Sequence, residues 1–518
     1  MNKLQTIWIV GTLVCAVSGA WAQDSSTRPS PGDVPQDASQ DAQQQPAAAY
    51  GQDNAAVPIS ENPPLSGLDL PSLEPTAAPI SYIQPGATFS ESAESNAGSV
   101  LGGSGVTSVS HALGSVTLKR LWSHYDLALD YIGGAGYYNV QGQSWVSLQQ
   151  MDFDQKIIWK RGQLSLRDSF SYLPEGNFGG SYGSLGSEDV ASLGSTAFGG
   201  FWGGSTLGNL GLASHVLNLS LADVTENLSA RSSITAAGGY AFTHFYGSDT
   251  TGNSFIGSSQ TSIQLGYNRV LDQHSQLALV YGYQGFNFSV LGTAFHSHVI
   301  QGLYGHRISG RMDFLIGAGP EFTFIDTQSA VCSDPALPVI LCPFLGGSLV
   351  PTTIKDTQIG AAVQARLRYK FPKTGLDLEY QRYDTSGSGL FAGAQSNLVS
   401  FNVQRPLSRV WDAFLDIGYS TNSRIQPLSV QQLSQCGGST SQSGCAANNA
   451  TGYSYGFFGG GLHRALGRTF HAYASYQFNE LRFDPSFCTG STGPCNRISH
   501  RNVVTFGLDW TPRPIRID

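Results

Sequence analysis

Three basic residues at alternate positions, Arg366, Arg368 and Lys370, are followed across a Pro372-containing turn by Asp377 and Glu379, again two apart. Residues two apart on an extended chain share a face. The bases therefore form one row, the acids another, and a hairpin sets the rows side by side. Facing a water-filled lumen, opposed charge rows set a transverse field and tune ion selectivity. Cross-strand charge pairs are also common sheet glue, and the preferred reading of these rows is that they pair near the turn-side rim and hold the wall. Asp412 and Asp416 stand opposite the apolar positions Trp411, Ala413, Leu415, Ile417 and Tyr419 in the same way. These seven charged residues are the candidate pore-lining set. Arg424, Glu188 and Asp189 fall in predicted outer loops and read as solvated surface.

Catalysis finds little support. His296, His298 and His306 alternate along one predicted strand with Ser289 and Ser297 nearby, but a Ser–His pair needs a third group to orient the imidazole. Ordinary lumen-facing positions account for all three histidines. Gly179-Gly180-Ser181-Tyr182-Gly183 matches the letters G-x-S-x-G without the strand-to-helix turn of a nucleophile elbow. Gly102-Gly103-Ser104-Gly105 lacks the strand–helix context of a phosphate loop. No enzyme activity, no cofactor and no metal site is expected.

Seven cysteines are present. Cys15 lies in an N-terminal export signal: Lys3 supplies its charge, Ile7–Val17 its short apolar stretch, and Ala20-Trp21-Ala22 a cleavage site, so that the mature chain begins at Gln23. The others form close pairs, Cys332 and Cys342, Cys436 and Cys445, Cys488 and Cys495, each inside one predicted outer loop and none in a strand. An even count in an exported chain reads as disulfides, and the spacing favours pairing within each loop, although six cysteines allow fifteen connectivities.

The elements that must hold these residues are strands. Charged residues make up 12% of the chain and glycines number 62, against an ordinary charged share of ~25%. Ten of the 36 acids but two of the 28 bases fall in residues 1–110, leaving 26 of each in the remainder. The acidity thus belongs to the N-terminal part, and no basic patch points to nucleic acid. Residues 23–112 are rich in Pro, Ala, Gln, Ser and Asp and read as a disordered periplasmic tail, since such a segment buries too little apolar surface to offset its ordering entropy. Its one apolar cluster, Leu65–Leu73, docks on a partner, enters the barrel mouth, or is simply idle; idle is the preferred reading.

From about Leu121 apolar residues recur with period two. Ile359, Ala361, Val363, Ala365, Leu367, Tyr369 and Phe371 alternate with Gln358, Gly360, Ala362, Gln364, Arg366, Arg368 and Lys370. Short links near 161–162, 226–229, 271–273, 308–310, 371–373, 406–408 and 465–467 alternate with mostly longer ones, the longest near 174–213, 326–353 and 422–451. The pattern predicts an all-β, antiparallel, transmembrane barrel of about 16 strands, within 14–18, over 113–518. Along Ser275–Ser289 the apolar parity shifts between Tyr283 and Phe286, which suggests a bulge.

The final alternation, Val504, Phe506, Leu508 and Trp510 opposite Val503, Thr505, Gly507 and Asp509, resembles the C-terminal signal of large bacterial outer-membrane β-barrel proteins of the porin-like size class. In the usual form the chain stops on the aromatic; here Thr511–Asp518 follow. The resemblance implies an outer-membrane location, contact with outer-membrane lipid and handling by the barrel-assembly machinery. The region before the barrel is too short and too poor in apolar residues for the folded plug of a TonB-dependent transporter. Two functions remain open. One is a porin-like channel for passive diffusion of small hydrophilic solutes, with the 174–213 loop as constriction. The other is a non-catalytic surface, assembly or export barrel whose tail binds a periplasmic partner.

Overall fold

The computed structural model describes residues 64–67, 81–95, 105–140, 143–173, 215–246, 256–288, 293–332, 349–386, 391–425, 450–488 and 496–517. The export signal, most of the tail and the 174–213 loop lie outside them. The strands begin with β1 (Tyr82–Ser95), β2 (Val106–Leu121), β3 (Tyr125–Val140), β4 (Gln143–Trp159), β5 (Gly162–Leu173) and β6 (His215–Ser229). They continue with β7 (Ser232–Phe245), β8 (Ser258–Val270), β9 (Ser275–Phe288), β10 (Thr293–Ser309), β11 (Met312–Cys332) and β12 (Leu349–Phe371). Last come β13 (Thr374–Thr385), β14 (Ala394–Pro406), β15 (Trp411–Arg424), β16 (Gly452–Ala465), β17 (Phe470–Phe483), β18 (Ile498–Trp510) and the short β19 (Ile515–Arg516).

From β1 to β18 each strand pairs antiparallel with its sequence neighbour, and β1 pairs with both β2 and β18, so the sheet closes on itself. The ring has eighteen strands, with β19 extending the seam beside the start of β1. The expected count of about 16 is corrected: β1 lies wholly, and β2 partly, inside the stretch to 112 read as tail. Closure satisfies every strand edge internally, which is what hydrocarbon demands of a sheet.

The alternation seen in the sequence sets the two faces. On β12 Ile359, Ala361 and Leu367 are exposed on the outer wall, whereas Ala362 and Gln364 are buried on the inside. On β18 Val504, Phe506, Leu508 and Trp510 face out, and Arg501, Val503 and Thr505 face in. The links that follow the even-numbered strands β2 to β16 are all short and fall at one end, here the turn side, and include Trp122–His124 between β2 and β3, which the sequence reading missed; those at the other end are mostly longer, 141–142 and 289–292 excepted. Aromatic side chains ring both ends of the outer wall. Tyr281, Tyr283, His296, His298 and Phe324 cluster toward the loop side. Tyr304, His306 and Phe314 cluster toward the turns, where the Arg464 guanidinium also lies 5.2 Å from the Trp411 ring centroid.

The seam is bolted from both faces. Arg501 of β18 pairs with Glu94 of β1 on the buried inner side. Thr88 donates to Asp509 at 2.8 Å, and the Asn502 amide donates to Ser95 at 2.9 Å. Pro85 sits in β1 between Ile83, paired to Ile515, and Ala87, paired to Trp510. The seam ladder is interrupted there, so the missing N–H of proline costs it nothing.

Candidate functional site: the polar lumen and its aromatic mouth

The strand parity decides which side chains enter the lumen. Arg366, Arg368 and Lys370 fall on the same face of β12 as buried Ala362 and Gln364, and Asp377 and Glu379 on the face of β13 that carries buried Gln381. The rows do pair. Arg366 Nε reaches the two Asp377 carboxylate oxygens at 3.1 and 3.0 Å. Arg368 leaves the expected partner and forks onto Asp313 of β11, with Nε and Nη2 at 2.9 and 2.6 Å from its two oxygens. Glu379 accepts from Gln381, and buried Asp416 accepts from Asn402 of β14. Asp412 is exposed near the turns. Forked guanidinium–carboxylate bonds are charge-assisted and directional. Arg368→Ala is expected to lower barrel stability by about 2 kcal/mol, read as a lower midpoint in urea unfolding.

A second charged set was overlooked. Asp126 and Asp130 on β3, Asp152 and Asp154 on β4, and Asp223 on β6 all face inward, joined by Lys156 and Arg167. Asp130 and Asp152 lie directly opposite each other in the ladder. Asp152 accepts from Gln150 at 2.9 Å and from Ser169 at 2.5 Å, and Arg167 Nε stands 3.8 Å from Asp154. The signal was present, since Asp152, Asp154 and Lys156 alternate. It was masked because the intervening residues are not a clean apolar run. This acidic wall stands across the ring from β12, whose bases are largely matched by Asp313, Asp377 and Glu379. From β8 to β10 the inner face is neutral and polar instead, with Gln260, Ser262, Gln264, Gln284, Ser297 and Gln301 all buried.

At the loop-side end the lumen changes character. Phe286 and Phe288 of β9, Phe295 of β10 and Ile325 of β11 face inward and form one buried apolar cluster with Ile425, which follows β15. Phe286 and Phe295 stack at 4.5 Å between centroids. Residues Phe391–Gly393, just before β14, run between this cluster and a second one on β16 and β17. Ala392 packs on the first. Phe391 is buried in the second, with Tyr453, Tyr455, Leu481, Phe483 and Phe487. Gly393 has φ of +90°, and any Cβ there would strike the Phe295 ring, so this strap position requires glycine on both counts. The mouth is therefore narrowed by an aromatic constriction built from barrel strands and one short link.

Several expectations are corrected by this arrangement. The parity change along β9 is not a bulge: the strand keeps unbroken register with β10 from Ser275 to Phe288. The apolar residues move to the inner face because Phe286 and Phe288 belong to the mouth. The three histidines face outward, not into the lumen. His298 Nδ1 lies 2.9 Å from the Tyr281 hydroxyl, and His306 Nδ1 lies 3.0 Å from Ser275 Oγ. Ser297 points inward, so it and its flanking histidines stand on opposite faces. Arg424 ends β15 and lies over the Phe391 ring at 4.5 Å. Cys332 is the last residue of β11, not a loop residue. Cys488 closes a short 3-10 turn, Pro485–Cys488, and is disulfide-bonded; Cys342, Cys436, Cys445 and Cys495 lie outside the described residues, as do Glu188, Asp189, Ser289 and the Gly179–Gly183 motif. Among the described residues no group of three or more His, Cys, Asp and Glu side chains is placed to hold a metal ion.

Asp484 follows β17 above the mouth. It is partly buried, which pushes its carboxyl up, but hydrogen bonds from Ser486, from the Thr451 hydroxyl and from the Thr451 amide at 3.1 Å outweigh this and hold it below the usual aspartate range. A depressed folded-state value stabilises the charged form. The contribution is complete above the ordinary range and is lost as pH falls through the folded value. Acidification below about pH 4 is expected to release the chain around Thr451 from the Asp484–Ser486 turn, seen as faster amide exchange at Thr451, and Asp484→Asn is expected to abolish that pH response.

No family model and no curated relative matches the sequence. Solved structures match in outline. The ferric-catecholate import receptor Fiu of E. coli K12, in its open form, shares 7% identity with a TM-score of 0.41 over 84% of this chain and 82% of its own. A BenF-like porin of Pseudomonas fluorescens Pf-5 shares 8% identity with a TM-score of 0.38 over 84% and 99%. OccK2 (OpdF) of Pseudomonas aeruginosa shares 10% with a TM-score of 0.38 over 83% and 98%. At such values nothing about what those proteins carry passes to this chain.

Proposed function

We propose that this chain is a porin-like channel of the bacterial outer membrane, passing small hydrophilic solutes by passive diffusion. The observation that carries the reading is the reversal of polarity across one closed wall: apolar and aromatic outside, carboxylates, guanidinium groups, amides and hydroxyls inside. A barrel of eighteen strands is wide enough for an aqueous passage. Residues 1–22 act as the export signal, and the tail before β1 lies in the periplasm, on the turn side where short links gather. Local disulfides Cys332–Cys342, Cys436–Cys445 and Cys488–Cys495 stiffen the outer loops. Among the described residues the lumen is acidic in sum, because the carboxylates of β3, β4 and β6 exceed Lys156 and Arg167, and buried Glu321 of β11 and Asp384 of β13 add to them. Cations are therefore favoured.

The test is the reversal potential of single channels in a planar bilayer under a salt gradient. The expected result is a stable conductance with cations preferred, and a severalfold smaller preference in Asp152→Asn/Asp154→Asn. A correctly folded, heat-modifiable barrel that never conducts would remove the channel reading and leave the anchoring or assembly alternative.

A further inference from the structure

Upstream of the barrel, one short stretch of the N-terminal segment is described, and it is inside the lumen. Pro64–Gly67 forms a turn, with the Gly67 amide donating to the Pro64 carbonyl at 3.0 Å. It presents Ser66 to the inner faces of β7 and β8 near their turn-side ends. Ser66 is buried and every polar atom it has is engaged. Its amide donates to Asn268 Oδ1 at 3.0 Å. Its carbonyl accepts from Gln264 Nε2 at 2.7 Å and from Thr235 Oγ1 at 3.3 Å. Its hydroxyl accepts from Asn268 Nδ2 at 2.5 Å and bonds the Thr235 hydroxyl. Leu65 packs beside it on the buried cluster of Ala278, Val280, Val299, Leu303 and Ala362, which belong to β9, β10 and β12. The wall is shaped for this occupant: a Cβ at Gly266 would meet the Ser66 side chain and the Thr235 hydroxyl. An amide–hydroxyl cradle beside an apolar pocket, at a place where the wall omits a side chain, has the features of a small-ligand site, and the ligand here is the chain's own Leu-Ser turn.

We infer that Leu65–Ser66 is a tethered latch, seated in a receptor site on β7–β10 toward the turn-side end of the lumen, which lowers the flux through it. The carboxylates of β3 and β4 lie several strands from the seat, whereas Asp223 of β6 stands opposite Ala237 of β7 at its edge, so an occupied latch leaves the β3–β4 side of the lumen open and closes the neutral amide side. The cluster Leu65–Leu73, preferred as idle in the sequence, thus has a partner for its first residue within the same chain. Its remaining residues lie outside the described positions. Release requires the loss of several hydrogen bonds at once and the exposure of Leu65, so the latch has two states rather than a continuum.

The inference adds a device to the channel reading, and its test separates the two. The full-length protein carrying Ser66→Cys and Thr235→Cys, the pair whose side-chain γ atoms touch, is inserted in bilayers and oxidised, and a linked peptide joining positions 66 and 235 is sought by mass spectrometry. The conductance of a second variant, Gly266→Leu, which fills the seat, is compared with that of the unaltered protein. The expected results are an efficient crosslink, a conductance that rises when the crosslinked form is reduced, and a severalfold higher conductance for Gly266→Leu at unchanged heat-modifiability. Absence of the crosslink in a folded barrel overturns the latch, as does an unchanged conductance in Gly266→Leu alongside a conducting parent. A crosslink in a barrel that never conducts in any variant would instead remove the channel reading and the flux role with it, leaving the seat as an anchor.

Discussion

Phe391→Ala is expected to loosen the mouth, raising single-channel conductance and making it fluctuate while the wall stays intact. Phe391 has no exposed surface. Its ring lies 5.2 Å from that of Tyr453 and beneath the Arg424 guanidinium. Truncating a buried phenylalanine costs about 3–5 kcal/mol from lost transfer energy and the cavity left behind. Here that cost falls on a local structure. The strap is short, and its other hold on the far cluster is Ala392 with one long backbone bond, Ile425 N to Gly393 O at 3.4 Å. The ladders of β14 to β17 do not pass through it. The strap therefore detaches before the barrel unfolds, as low-stability segments do. Conductance, proteolysis near residue 391 and global unfolding are the measurements. A conductance trace identical to that of the parent, with protease resistance retained, would show that the strap does not constrict the pore. A matching loss of global stability would instead make it part of the barrel's cooperative core.

The seam carries the second large effect. Glu94→Ala is expected to destabilise the barrel by about 3–5 kcal/mol, because removing one partner of a buried pair leaves the other charge without its compensation. Arg501 and Glu94 are both buried at the closure of the ring. They join the first strand to the last, so no neighbouring hairpin can hold the two edges together if they part. The measurement is the temperature at which the compact form is lost in gel heat-modifiability, together with urea unfolding. Glu94→Gln, which retains a hydrogen-bond acceptor for Arg501 without the charge, is expected to lose less. Equal stability for all three proteins would mean that backbone pairing along β1 and β18 closes the barrel unaided.

Seven of the eight turn-side links, and the alternation that sets Arg366, Arg368 and Lys370 on one face of β12 and Asp377 and Glu379 on one face of β13, were legible because each depends on period two within one strand. Pairing was less so. Arg366 chose Asp377, a neighbour across its own hairpin, but Arg368 chose Asp313, a residue on the preceding strand that no local pattern connects to it. The acidic wall of β3, β4 and β6 was equally local in origin. It was hidden because three strands each contribute one or two carboxylates, and their sum exists only after the ladder aligns them.

The sequence by itself determined the outward face, the antiparallel order and the class of fold, since lipid outside and water inside impose an alternation that each strand must display alone. Tertiary structure decided the rest. β1, with Pro85, Gly86 and mostly small residues, has the composition of a linker, and only the pairing of both its edges makes it a strand. Phe286 and Phe288 look like a register fault until Phe295, Ile325 and Ile425 converge on them. Leu65 and Ser66 look like tail until Asn268, Gln264 and Thr235 are brought to one spot from two separate strands. In each case the deciding partners are far apart in the chain, and their contribution appears only when ring closure has fixed where every strand lies.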